Sequence, residues 1–347
     1  MEKDKKNAWK DYLLKSGLPL EFEVKKFLDS KGCISKVDYT YLRNNEHDQS
    51  TEFSYDIDSS YIKGDHFMDL MIECKYRHES TKWVFLPESY RSIDGIYETD
   101  FMHKSDHFND GNRKKIDFPV SFGPLCDKGI ELTSDGANPK TITQAISQLS
   151  YAMVNKIISG MDHQSNELLR TNFKNTIFYS IPVIITTAKL YRIKEDIDIQ
   201  TIKSAQDISE ISTNEPYLVI KTKPGSDLYN YNRLKFTDFI MQNGEHNLKE
   251  RLNSYSKDIW FLTSNISEHN CPSSIVVIHH DPQNTGLDAL FSFLHRVMEP
   301  DQEIFDILAE NERESEEFFA KFERDHPGVN LWAEMNEENQ TNDTGEN

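Results

Sequence analysis

No stretch of this 347-residue sequence stays apolar for long. The longest such run, residues 181–185, has a proline inside it and falls far short of the roughly 20 residues that a helix needs to cross a bilayer. The N-terminal string MEKDKKNAWKDYLLKSG has no apolar core of the kind a secretory leader carries, so no leader is expected there. Cysteine is scarce: Cys33, Cys74, Cys126 and Cys271 lie far apart with no CxxC pair. That disfavours a zinc ribbon and predicts a reduced chain working in the cytoplasm. No internal repeat is present. Positive charge is also short, with 39 Lys and Arg against 58 Asp and Glu, a net charge of −19. An acidic balance argues against a nucleic-acid partner until the acids are located. Residues 301–347 hold 15 Asp or Glu against three Lys or Arg, which accounts for −12 and leaves −7 on the first 300 residues. Because binding depends on the local face, the net charge weakens such a partner without excluding it.

What is present is an ordered succession of helix and strand signals. Residues 17–30 read as a helix with Pro19 in its first turn and Leu20, Val24, Phe27 and Leu28 on one face. Strand-like stretches follow at 34–42, 52–62 and 67–76, the last two joined by a short KGDH turn that predicts a hairpin. Residues 77–140 lose the pattern apart from a possible strand at 83–86, and read as an insertion near a working face. A helix over 141–159 and an apolar strand over 176–187 complete the order αβββ, insertion, αβ. Residues 191–300 add strand-like runs at 217–222, 258–265 and 274–280 and helices near 236–241 and 287–298, either extending the sheet or forming a second lobe. Residues 302–325 read as an acidic helix, and the polar end of the chain as a disordered tail.

The chemistry-bearing residues sit on two of those strands. In FMDLMIECKY, alternation puts Met68, Leu70, Ile72, Cys74 and Tyr76 on one face and Asp69, Met71, Glu73 and Lys75 on the other. A carboxylate beside an ammonium on a well-buried strand needs a reason. In EFSYDIDSSYI the same alternation gives Glu52, Ser54, Asp56, Asp58 and Ser60 one face, so folding the hairpin brings one or both aspartates beside Glu73. Like charges that close are costly unless a cation lies between them, and Mg²⁺ suits the place because it takes one or two protein carboxylates plus water and phosphate oxygens. Such a metal polarises a phosphodiester and lowers the pKa of bound water, while Lys75 orients that water or stabilises the developing charge.

The string GLPLE in the first helix, the acid–hydrophobic–Asp run Asp56-Ile57-Asp58 and the triplet Glu73-Cys74-Lys75 together resemble the PD-(D/E)xK phosphodiesterases, the restriction-endonuclease-like nucleases. The resemblance covers residues 17–190. It implies an α/β fold with a mixed central sheet flanked by helices, an αβββαβ core carrying an insertion at 77–140 and a C-terminal extension. It implies catalytic roles for Glu21, Asp58, Glu73 and Lys75, with Asp58 and Glu73 as ligands of Mg²⁺, for which Mn²⁺ can substitute. Asp56 shares a face with Asp58 and is an equally good ligand on parity; Glu21 and Glu23 flank the apolar stripe at similar angles, and only the GLPLE pattern prefers Glu21. Gln148 and Tyr151 look like the Gln-x-x-Tyr element that, in some members, helps hold nucleic acid or the active-site lysine. The implied activity is endonucleolytic hydrolysis of nucleic acid, DNA ahead of RNA, in a defence or restriction role.

Plainer readings stand beside these. A lone Glu-x-Lys usually marks a surface ion pair; it is the aspartate strand, the leading helix and the element order that lift this one. His279-His280-Asp281 ends an apolar strand but has no Cys or Glu at ligand spacing, and reads as structural. Lys3, Lys5, Lys6 and Lys10, like Arg113-Lys114-Lys115, suit phosphate contacts or solvated clusters equally. Phe318, Phe319, Phe322 and Trp332 in the acidic segment suit docking on the body, on a second copy or on a partner protein, or covering of a nuclease groove. Two competing functions follow: a silent nucleic-acid-binding or assembly module of the same fold, and an acidic interaction or inhibitor protein. The intact acids and lysine speak against the first, and their convergence on one strand pair against the second. No membrane partner is expected.

Overall fold

The computed structural model describes residues 8–44, 50–88, 101–108, 120–166, 173, 175–253 and 257–325. Helix α1 (Ala8–Lys15) buries none of its residues, and α2 (Leu18–Ser30) follows after Gly17, whose φ of 85° makes the sharp entry into the second helix. Strands β1 (Ile34–Asn44), β2 (Ser50–Lys63) and β3 (His66–Lys75) then form an antiparallel meander, with Gly64 at a φ of 57° in the β2–β3 turn.

The region expected to be an insertion contributes real strands. β4 (Lys82–Pro87), β5 (His103–Ser105), β6 (Leu125–Thr133) and β7 (Gly136–Asn138) all pair within the sheet, and Trp83 and Phe85 are fully buried. The long helix α3 (Lys140–Ser165) leads into β8 (Ile177–Thr186), which pairs in parallel with β3 from His66↔Ile177 to Lys75↔Thr186. The element order read from the sequence, helix, three strands, helix, strand, is therefore present, with β8 beside β3.

The remaining chain returns to the same sheet. It forms β9 (Lys189–Ile193), α4 (Ile199–Ser204), α5 (Ile208–Ile211), β10 (Ser212–Glu215), β11 (Tyr217–Lys221), α6 (Ser226–Asn243), α7 (Glu245–Arg251), α8 (Ile259–His269), β12 (Ser274–His279), α9 (Thr285–Met298) and α10 (Gln302–Asp325). The sheet runs β1-β2-β3-β8-β12-β11-β6-β4-β9-β10, so residues 191–300 extend it. Where a strand was expected at 258–265 there is the helix α8. The Asp258 carboxylate caps it, accepting from the backbone N–H groups of Trp260 at 2.9 Å and Phe261 at 3.0 Å, and Ile259, Thr263 and Ile266 face inward at helical spacing.

Two apolar layers cover the sheet. On one face α3 lays Ile142, Ala145, Leu149 and Met153 against Met71, Trp83, Ile184 and Val277, with α6 and α8 packed outside it. On the other, Leu20, Val24 and Leu28 of α2 and Leu287, Leu290 and Leu294 of α9 cover Leu70, Ile72, Val183 and Val276. β3 and β8 are buried on both faces, as strands between two helical layers must be, and each large apolar side chain sealed there contributes ~1.5–3 kcal/mol. The acidic helix α10 is tied down near its start by the fully buried Ile304. Lys3, Lys5, Lys6, Arg113, Lys114, Lys115 and the tail with Trp332 lie outside the described residues. No helix among the described residues is long and apolar enough to cross a membrane.

Candidate active site

The site forms where β2 parts from β3. Val37↔Ile57 and Tyr39↔Tyr55 are successive odd-numbered pairs of β1 and β2, yet they face opposite layers. Ile57 packs under α2 and α9, whereas Tyr55 packs under α3 and stacks on Tyr39 at 4.9 Å. Both strands roll over at the intervening residues, Asp38 and Asp56, and Asp38 takes a φ of 56° to do so. The β2–β3 ladder stops at Ile57↔Ile72. At the next step the Cys74 backbone N–H donates to Asp56 Oδ2 at 2.6 Å, so a side-chain carboxylate takes over where strand pairing ends.

This roll decides which aspartate stands beside Glu73. Glu73 is fully buried, one carboxylate oxygen bonded to the Lys75 ammonium and the other, Oε2, sealed with no hydrogen-bond partner among the described residues. Burial pushes the Glu73 carboxyl up to about 7; the Asp56 charge adds to this, Lys75 opposes it, and Glu21 adds a smaller push. Asp56 is raised by its own burial, against the pull of the Cys74 N–H and of Lys75. Glu21 is raised too, by burial and then by Asp56 and Asp38. Three carboxylates and one ammonium thus share the C-terminal end of β3.

Asp58, which the resemblance puts beside Glu73, belongs elsewhere. Lys156 of α3 reaches it at 2.6 Å on Oδ1 and 2.8 Å on Oδ2, and the Tyr55 hydroxyl donates to Oδ1 at 2.8 Å. Asp69 completes that cluster, 3.9 Å from Lys156 and accepting from the Ser60 hydroxyl at 2.8 Å. The expectation of Asp58 as a ligand partner of Glu73 rests on the resemblance, since unbroken alternation along β2 puts both aspartates on one face. The roll at Asp56 exchanges the two aspartates. Lys156 was not singled out from the sequence, yet it continues the apolar stripe Ala145, Leu149, Met153 of α3, a position where a lysine signals a buried charge partner.

The structure also separates the two glutamates of α2. Leu20, Val24 and Leu28 point into the core and leave Glu21 on the flank toward Asp56 and Lys75. Glu23, on the other flank, pairs with His280 Nε2 at 2.9 Å. The His279-His280-Asp281 run at the end of β12 is otherwise structural: His279 Nδ1 lies 3.0 Å from the Ala188 carbonyl oxygen, and Asp281 accepts from the backbone N–H groups of Gln283 and Thr285 at the start of α9.

Helix α3 supplies the remaining part of the site. Lys75 Nζ donates to Gln148 Oε1 at 3.3 Å, while Gln148 Nε2 donates to the Ser54 carbonyl at 3.0 Å. The Tyr41 hydroxyl fixes the helix there by donating to the Gln148 carbonyl at 2.9 Å. Gln148 therefore ties the lysine strand to the aspartate strand. Tyr151 does not touch Lys75; its ring lies under the Arg43 guanidinium at 3.6 Å.

Among the described residues no three His, Cys, Asp or Glu side chains are arranged to enclose a metal ion unaided. A hard divalent cation needs less, since one or two carboxylates with water and phosphate oxygens suffice for Mg²⁺. The unpartnered Glu73 Oε2 and the crowding of Asp56 and Glu21 around it fit that demand. Compared with family models, with curated proteins and with solved structures, the chain matches none of them.

Proposed function

We propose that this chain is a metal-dependent nuclease of the PD-(D/E)xK, restriction-endonuclease-like class, with Asp56, Glu73 and Lys75 as its working groups and Glu21 at their edge. One observation carries the reading: a fully buried glutamate with an unpartnered oxygen stands beside a second carboxylate and a lysine at the end of a central strand. Such a group is expensive to keep in a folded chain unless the negative charge has a purpose. The meander β1–β3, the crossover helix α3 and the parallel strand β8 supply the order the class requires.

Asp56 and Glu73 would hold Mg²⁺ or Mn²⁺, which when bound polarises the scissile phosphate and acidifies its water. The protein's own groups then have defined tasks. Glu73 must be ionised to serve, and cation charge beside it favours that form. Lys75, held between Glu73 and Gln148, presents its ammonium to a phosphate oxygen or to the attacking water. Glu21 adds a nearby acceptor through which that water is oriented. The substrate is a nucleic-acid backbone, with DNA the expectation that the resemblance carries.

The test is incubation of plasmid, single-stranded DNA and RNA with Mg²⁺, Mn²⁺ or EDTA, using wild type, Glu73→Gln and Lys75→Ala. Cleavage should need the metal and fall by roughly 10²–10³ in each variant, the scale of losing one transition-state contact. Cleavage that persists in EDTA, or in both variants, removes the mechanism.

A further inference from the structure

The side chain of Arg43, two residues beyond Tyr41 on β1, makes no ion pair and no hydrogen bond among the described residues. Arg77, Arg192 and Arg296, by contrast, hold carboxylates, on Glu131, Glu195 and Asp301. Arg43 is instead seated against two aromatic rings. Its guanidinium lies 3.6 Å over the Tyr151 ring and 5.6 Å from Phe53, a half-buried setting that leaves its donors unused among the described residues.

The setting continues in both directions. Tyr151 is three residues along α3 from Gln148, on the same side of the helix, and Gln148 holds Lys75. On the other side Tyr151 meets Tyr231 of α6 edge-on at 5.1 Å, the Tyr231 hydroxyl donates to the Leu42 carbonyl at 3.1 Å, and Lys235 Nζ stands 5.4 Å over the Tyr231 ring. Lys235, like Arg43, has no carboxylate among the described residues. Beyond Lys75, which Glu73 and Gln148 hold, Arg43 and Lys235 are thus two cations seated on aromatic rings on the α3 side of the candidate active site. Along β1, Arg43 is about 7 Å from Tyr41, the residue that bonds Gln148, or about two base steps at ~3.4 Å each. A carboxylate whose charge acts on Tyr151 is that of Asp227, exposed in the first turn of α6.

We infer that Arg43 is a backbone-phosphate contact for the nucleic-acid strand that enters the site, the first station of a cationic–aromatic track from Lys75 across α3 to Lys235; the ligand class rests on the nuclease reading. A guanidinium stacked on a ring and free at its edge is preorganised for the two-pronged hydrogen bonding that a phosphate offers. The contact carries no sequence information and serves to hold register.

The test uses the full chain carrying Glu73→Gln, titrated in Mg²⁺ with labelled single-stranded DNA, duplex DNA and RNA of one sequence, with and without Arg43→Gln. Gln keeps part of the aliphatic stem against Phe53, and an unchanged melting temperature shows that the fold is intact. Arg43→Gln should weaken the best-bound probe about tenfold, the value of one charge-assisted hydrogen bond, and reduce the slope of log affinity against log salt by about 1. Arg43→Lys should recover the slope but only part of the affinity, because the ammonium lacks the fork. Lys235→Gln should lower affinity in the same direction without touching Tyr151. Equal affinity and equal salt slope for parent and Arg43→Gln on all three probes overturn the inference, as does a parent that binds none of them. Metal-dependent cleavage by the wild type is scored separately: cleavage with unaltered Arg43→Gln binding removes the track and leaves the nuclease reading standing.

Discussion

Glu73 and Asp58 are both carboxylates on the layer facing α3, but their surroundings set them opposite tasks. At Glu73 the burial cost and the charges of Asp56 and Glu21 act together and outweigh Lys75, so the carboxyl is held near 7. A carboxyl raised from its ordinary value near 4.5 stabilises the fold in its protonated form. That contribution is complete below about pH 4.5 and is lost as pH rises through about 7. Metal-free wild type should therefore lose melting temperature between pH 5 and 8. Glu73→Gln should lose less and melt higher than wild type at pH 8, by about 2 °C or more. A wild type that gains stability over that range would show that Glu73 is ionised without cost. Asp58 is instead neutralised by Lys156, with side-chain exposures of 14% and 9%. Lys156→Met should leave that acid buried and unpaired and cost about 3 kcal/mol in urea unfolding. A change under about 1 kcal/mol would place the pair among weak surface bridges.

At the scale of elements, the crossover helix α3 does two jobs that single substitutions separate. Its Gln148 links Lys75 to the carbonyl of Ser54, so Gln148→Ala should slow cleavage about tenfold while moving the melting temperature little, since one neutral hydrogen bond is worth about 1 kcal/mol. Its Gly160 lets the helix approach β8: a Cβ there would stand 2.9 Å from the Phe178 Cβ. Gly160→Ala should cost about 1–3 kcal/mol of stability by overpacking, measured by the same urea titration. Much of this architecture was legible in the sequence because periodicity reports burial. α2, β1–β3, α3 and β8 all appear where their apolar spacing puts them. The failures have local causes. Residues 258–265 look like an apolar strand because α8 is apolar on most sides; the signal against a strand was Asp258, a helix cap. Alternation leaves Asp56 and Asp58 equal and only the resemblance prefers Asp58; the roll at Asp38 and Asp56, which separates the two, leaves no mark that a residue pattern records. Glu73 and Lys75, on the regular strand β3, did not suffer that error.

For the molecule as a whole, the order of the sheet binds the two halves of the chain together. β4 and β6, from the first half, reach β8 only through β11 and β12, from the second. A fragment ending at residue 190 would therefore strand the β4–β6 pair and open the edge of β8 along Val183, Ile184 and Ile185. Such an edge pairs with other chains. The fragment should aggregate on size-exclusion chromatography where the full chain does not; a soluble, cooperatively melting fragment would show that residues 1–190 fold alone. Of the net charge of −19, −12 falls in residues 301–347, away from the β1–β3 meander in sequence.

The most direct measurement compares Asp56→Asn with Asp58→Asn in Mg²⁺-dependent cleavage, each with its melting temperature. Asp56→Asn should melt like wild type and lose at least about a hundredfold in rate, the scale of a missing transition-state group. Asp58→Asn should melt lower yet, assayed well below its transition, cut within a few-fold of wild type. Full cleavage by Asp56→Asn beside a folded but inactive Asp58→Asn would contradict the role given to Asp56.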